Sequence, residues 1–223
     1  MTTRHGKSIG EAFEGALVLG GALATPFLRA RRLSWGATDE ELECSIPGDN
    51  LIPAPRWMAT HAITIRASAE RIWPWIAQLG QGRGGFYSYQ RLENLAGCRI
   101  ENADRVLSEH QAIAVGDHVK LHVEGPPMVV ALVERPHSLV LHGNPADAEG
   151  GPEIETTWAL HVIERSDGTS RLLSRTRYRH GQGLAAKLMG GPLLLEPVSF
   201  VMERKMLKVL KSLIESGPSI SRR

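Results

Sequence analysis

The chain has 223 residues and is 42% hydrophobic, enough apolar material for a sizeable core; this excludes wholesale disorder and suits one domain with an appendage. Its formal net charge is only +2, so it carries no electrostatic footprint for nucleic acid, and no nucleic-acid partner is expected. Cys44 and Cys98 are isolated, without metal-ligand spacing or a disulfide-rich pattern, and a reducing cytoplasm is the expected compartment.

Residues 15–28 are uncharged and apolar (GALVLGGALATPFL) and run into Arg29, Arg31 and Arg32. The stretch is short for a membrane span, and Glu11 and Glu14 stop its extension upstream. It is expected first as a helix packed on the domain or lying on a membrane surface, with residues 9–32 as the attachment. A true span ranks second, and a cleaved signal last because the acidic residues spoil its charge pattern. Residues 1–32 thus read as an N-terminal apolar and basic helical segment, and 33–59 as an irregular lead-in. Within the lead-in, Thr38 can cap a short helix with Glu41 three residues on, and Pro47–Gly48 and Pro53–Ala54–Pro55 mark turns.

Alternation from Thr60 to Ala67 predicts a strand. Ser68 then caps a helix to about Leu79, with Ile72, Trp73, Ile76 and Leu79 inward and Pro74 placed in its first turn. The glycine-rich run 80–85 (GQGRGG) follows a helix and lacks the GK[ST] ending, so a tight turn is expected rather than a phosphate loop. Tyr87 to Leu95 reads as a second short helix, with Leu92 and Leu95 inward and Gly97 as its stop.

From Val115 the period changes to two, and Val119, Leu121 and Val123 alternate with His118, Lys120 and His122. Met128 to Val133 pairs back across a Gly-Pro-Pro turn, and Ser138 to His142 adds a strand. Residues 143–152 are rich in Gly, Pro, Asp and Glu and read as a flexible connection. Ile154 to Glu164 is a long strand with Ile154, Thr156, Trp158, Leu160 and Val162 on one face, and a hairpin at 166–168 leads into Leu172 to Arg179. Short links imply an antiparallel meander.

The last long stretch, Leu193 to Ile214, has Leu195, Val198, Met202, Met206, Val209 and Leu213 at steps of three and four, widened by Phe200, Leu207, Leu210 and Ile214. Glu203, Arg204, Lys205, Lys208, Lys211 and Glu215 fill much of the remaining surface, and 217–223 reads as a disordered tail. So wide a stripe must be covered by a sheet or several helices. The predicted fold is therefore α+β: a curved antiparallel sheet wrapped around a long C-terminal helix, with two short helices after the first strand and an extra N-terminal segment.

Residues 60–216 resemble the START-like helix-grip superfamily (SRPBCC), which includes polyketide cyclases and lipid-transfer proteins. The stretch ITIRASAERIWPWIAQLGQGRGGFYSYQRLENLAG is similar to the opening of a bacterial polyketide cyclase/dehydrase-type subgroup. The runs NADRV (102–106), VGDHV (115–119) and MERKML (202–207), and the WGATDEE and PGD of the lead-in, agree with it. The resemblance implies a cavity between sheet and helix. Thr156, Trp158, Leu160, Met202 and Met206 are its candidate wall, and Trp75, Tyr87 and Tyr89 its candidate mouth. A largely apolar set with a few polar tips is the usual makeup of a small-molecule pocket, and methionines adapt to irregular ligands.

Nine histidines show no HxxxH or HExxH pairing, so no metal site is expected, and no GxSxG elbow selects a nucleophile. Arg83, Tyr87, Tyr89, Glu93, Asn94, Asn102, Asp104 and Arg105 form a polar cluster. Its functional reading has Tyr and Arg hydrogen-bonding a carbonyl or carboxylate at the pocket entrance; the favoured reading is structural, with Asp104 paired to an Arg and Glu93 and Asn94 tying down the glycine loop. Alternation along the strand at 172–179 leaves open whether Arg175 and Arg177 or Thr176 and Tyr178 face the cavity; Arg175 there would need an acidic partner or an anionic ligand. The first functional expectation is non-catalytic binding of an apolar or aromatic, lipid- or polyketide-like ligand. A cyclase or dehydratase using Tyr87, Arg177 or Tyr178 on an enolate comes second, and a membrane-associated accessory protein third. No cofactor is implied.

Overall fold

The structure, a computed structural model, describes residues 14–17, 19–21, 26–95, 97–123, 125–143, 154–180 and 195–217. The connection expected at 143–152 lies outside these residues apart from Gly143, as does the tail beyond Gly217.

Two short helices, α1 (Arg29–Leu33) and α2 (Asp39–Glu43), belong to the lead-in. The expected capping box starts α2: Glu41 N–H donates to Thr38 Oγ1 at 3.2 Å, and Thr38 N–H donates to the Glu41 carboxylate at 2.9 Å. Strand β1 (Trp57–Ile65) precedes α3 (Ala69–Ala77) and α4 (Gln90–Leu95). The meander follows as β2 (His118–Val119), β3 (Met128–Glu134), β4 (Ser138–Gly143), β5 (Ile154–Glu164) and β6 (Ser170–His180), and the chain closes on α5 (Leu195–Ser216). The strands form one antiparallel sheet in the order β1-β6-β5-β4-β3-β2.

Side-chain alternation gives the sheet an inner and an outer face. Leu139 and Leu141 of β4, Leu160 and Val162 of β5 and Leu172 of β6 point inward against Ile72 and Ile76 of α3 and Met206, Leu207, Leu210 and Ile214 of α5. The curled sheet therefore holds the long helix against its concave face. This is a helix grip.

The outer face carries a second, smaller apolar cluster: Ile46 and Leu51 of the lead-in lie on Val140 and Ala159. Three β6 arginines fasten the lead-in across that face. Arg171 pairs with Glu41 at 2.6 Å. Arg175 donates to Asp49 at 2.7 Å and to the Glu41 and Cys44 carbonyls, and Arg177 reaches Asp49 at 3.1 Å. Gly48, at φ +96, brings its backbone so close that an added Cβ would sit 2.6 Å from Val140 Cγ1.

Several local expectations are corrected. The first strand begins at Trp57, three residues earlier than expected. Ser68 makes no side-chain cap; instead Ala69 N–H donates to Glu164 of β5 at 2.9 Å, so α3 is capped across space. Pro74 lies inside α3 rather than in its first turn, where its missing N–H removes one rung of a short helix. Leu95 is 86% exposed because the short α4 buries Glu93 instead, before Gly97 ends the turn at φ +86. The strand around 119 keeps two residues, the chain bending at 121–123. The glycine run is the expected tight turn: Gly80 and Gly85 bridge each other, both at positive φ.

The described parts of residues 9–32 touch the domain at a few points, while Leu17 and Phe27 stay exposed. Gly15 lies against Leu92 and Tyr89, Tyr89 donates to Glu14, and Arg29 holds the buried Glu196 at the start of α5 at 2.8 Å. Among the described residues no helix is long and apolar enough to cross a membrane.

Candidate functional site

A cavity of about 550 Å³ opens between the sheet and α5. Its sheet wall consists of cross-strand rows fixed by register: Trp57, Tyr178 and Thr156 lie side by side, and Thr176 sits next to Trp158. From α5 come Val198, Met202 and Met206 at steps of four, with Glu203 next to Met202; Phe86, Glu93, Leu121 and Met128 complete the lining. Trp57 stacks on Tyr178 at 5.2 Å, and Phe86 tilts against Trp158 at 6.2 Å.

The polar feature of this wall is built on Glu203. His61 sits on the inner face of β1 opposite Ser174. Its Nδ1 lies 2.9 Å from Glu203 Oε2 and its Nε2 lies 2.8 Å from the Arg32 carbonyl. A carboxylate and a carbonyl can only accept, so both ring nitrogens donate and the ring is an imidazolium. Burial alone would lower the His61 pKa, but the charge and hydrogen bond of Glu203 more than offset it and the net shift is upward. Ser174 donates to Glu203 at 2.8 Å and Thr176 at 3.0 Å, while Trp158 Nε1–H donates to Ser174 at 2.9 Å. The orientation of Trp158 in the cavity is thus tied to the Glu203 carboxylate.

Glu93 is a different case. It is 6% exposed, lines the cavity, and its buried Oε2 has no hydrogen-bond partner among the described residues. Burial pushes its pKa up to about 7. The Tyr178 hydroxyl is pushed up to about 12 by burial, which keeps it a neutral phenol at ordinary pH. Among the described residues no three His, Cys, Asp or Glu side chains converge as metal ligands.

Of the residues expected to bind ligand, Thr156, Trp158, Met202 and Met206 line the cavity, and of the catalytic candidates Tyr178 does. Leu160 lies deeper, in the core. Tyr87 is buried at φ +55, its hydroxyl against Gln78 and pushed up to about 12 by burial; Trp75 packs edge-on against it at 5.8 Å. Tyr89 is covered by Glu14 and Lys205. Arg175 and Arg177 point to the opposite face of the sheet, because the alternation that turns Ser174, Thr176 and Tyr178 inward turns them out beneath the lead-in. The glycine loop is tied down not by Glu93 but by Asn102, whose Oδ1 accepts from Phe86 and Tyr87 N–H at 3.0 and 2.8 Å.

His61, Glu203, Ser174 and Trp57 were not among the expected site residues, and Glu93 was expected only as a member of the polar cluster, in a structural role. A signal existed for two of them. His61 shares parity with the inward Ile63 and Ile65, and Glu203 lies seven residues from Leu210 and four from Leu207, on the buried stripe.

No family model matches the chain, and no curated protein matches its sequence. Among solved structures it is similar to norcoclaurine synthase from Thalictrum flavum in complex with dopamine and hydroxybenzaldehyde, at 17% identity over 79% of this chain and 96% of that one, with a TM-score of 0.45. It is also similar to a protein from Mesorhizobium loti, at 13% identity over 73% and 99% with a TM-score of 0.43, and to one from Nitrosospira multiformis, at 16% over 75% and 100% with a TM-score of 0.42. The likeness is one of fold. At such low identity it assigns no ligand and no reaction.

Proposed function

We propose that this protein binds a small apolar or aromatic molecule, lipid- or polyketide-like in its bulk, between the sheet and α5. The observation that carries the reading is the cavity itself: about 550 Å³ walled by four aromatic rings and three methionines. That volume falls within the range of about 300–1,000 Å³ usual for ligand pockets, and few polar groups converge on it. The test is native mass spectrometry of the freshly purified protein, followed by denaturing extraction. A co-purifying apolar molecule is the expected result. An empty protein that also fails to take up apolar aromatic probes would overturn the reading.

A cyclase- or dehydratase-type reaction is the second reading, favoured by the Glu203–His61 pair. A carboxylate held at a cavity wall by a buried imidazolium and two hydroxyls is positioned to accept a proton from a bound carbon acid. Incubating the extracted molecule with the protein and searching for product separates carrier from enzyme. Attachment to a membrane surface through residues 9–32 is supported by the exposed Leu17 and Phe27 beside Arg29 and Arg31. Fractionation of cells expressing Phe27→Glu tests it, with movement from the membrane to the supernatant expected.

A further inference from the structure

We propose that the ligand of this cavity carries a basic amine, its apolar or aromatic body lying among the rings and its ammonium head at Glu93 and Glu203. The inference rests on the cavity being a ligand site, and adds the chemistry of the head group. Among the described residues the cavity lining holds two carboxyl groups and no lysine, arginine or histidine. The charge of Glu203 is met from behind by His61, and its Oε1, which accepts only from Thr176 among the described residues, keeps a lone pair for a further donor at the cavity wall. Glu93 is not met by any cation among the described ion pairs, and its Oε2 is buried without a donor. An unpartnered carboxyl against apolar walls is costly. A ligand that brings N–H donors and positive charge removes that cost, and a hydrocarbon does not.

The surrounding chemistry agrees. Trp57, Phe86, Trp158 and Tyr178 present ring faces or edges to the same space, and aromatic faces attract an organic cation. A carboxylate or phosphate ligand would instead meet like charge and find no cationic partner in the lining. Burial raises Glu93 to about 7, and a neighbouring ammonium restores the ionised form by offsetting the same desolvation.

The test uses the full chain and three probes of nearly equal shape: naphthylmethylamine, naphthylmethanol and naphthoate, titrated by calorimetry. The amine is expected to bind about tenfold more tightly than the alcohol, the order of one charge-assisted hydrogen bond, with naphthoate weakest. In Glu93→Gln the preference for the amine is expected to fall about fivefold or more while the affinity of the alcohol holds within about twofold. Naphthoate binding as well as the amine, or a preference untouched by Glu93→Gln, overturns the amine assignment and leaves the cavity reading standing. If none of the three binds, both fall. The probe series on the unaltered chain needs no variant, and the unfolding temperature of Glu93→Gln reports that it is folded.

Discussion

Glu93 and His61 are ionisable groups whose surroundings set their behaviour in opposite ways. Glu93 has no donor to its buried Oε2 among the described residues, and burial raises its pKa to about 7. The folded state therefore holds a proton that the unfolded chain releases near the ordinary glutamate value, and stability falls as pH rises from there to about 7. Burying the ionised form costs on the order of 2 kcal/mol, solvent screening included. Glu93→Gln is expected to raise the urea midpoint at pH 8 and leave it nearly unchanged at pH 4.5. His61 has its cation stabilised by Glu203, against the effect of burial, so its contribution is full below its unfolded pKa and is lost as pH rises through its raised folded pKa. A loss of stability on the alkaline side that persists in Glu93→Gln identifies the His61 contribution. His61→Ala should remove that slope. It should also cost on the order of 3 kcal/mol, because Glu203 is left buried without its cation.

At the scale of elements, β6 does two jobs by alternation. In its inward row Thr176 and Tyr178 line the cavity and Ser174 anchors Glu203 and Trp158 behind it, while its outward row, Arg171, Arg175 and Arg177, fastens the lead-in. Arg175 is 1% exposed and donates to Thr60, Asp49 and three lead-in carbonyls. Arg175→Met keeps the apolar stem and removes every one of those donors. It is expected to cost on the order of 3 kcal/mol in denaturant unfolding and to expose residues 36–52 to limited proteolysis, while ligand uptake persists. Loss of uptake without loss of stability would mean that the outer arginine row acts on the cavity after all. The same alternation explains what was legible along this strand: its two faces were recognisable, but which face met the cavity was not. Both rows contain polar residues, and only the position of the lead-in distinguishes them.

At the scale of the molecule, the cavity exists because α5 touches the sheet closely near Leu207, Leu210 and Ile214 and stands off where Val198 and Met202 face Trp57 and Trp158. Val198→Trp fills that gap from the helix side. It is expected to abolish probe uptake with little change in unfolding temperature, since the added ring displaces empty volume rather than packed neighbours. The local sequence determined much of this protein: two periodicities, 2 and 3.6, separate the strands from α5, and glycine, proline and capping residues punctuate them, which is enough for the α+β helix grip. Those signals arise within a few residues of chain, where backbone geometry alone sets which side chains share a face. Tertiary structure decided the rest. It set Glu203 opposite His61, 142 residues apart, turned Glu93 into the cavity in place of Leu95, and sent Arg175 and Arg177 beneath the lead-in. Each of these depends on which surface a face meets, and a polar residue on an apolar stripe acquires its partner only when a distant segment folds against it.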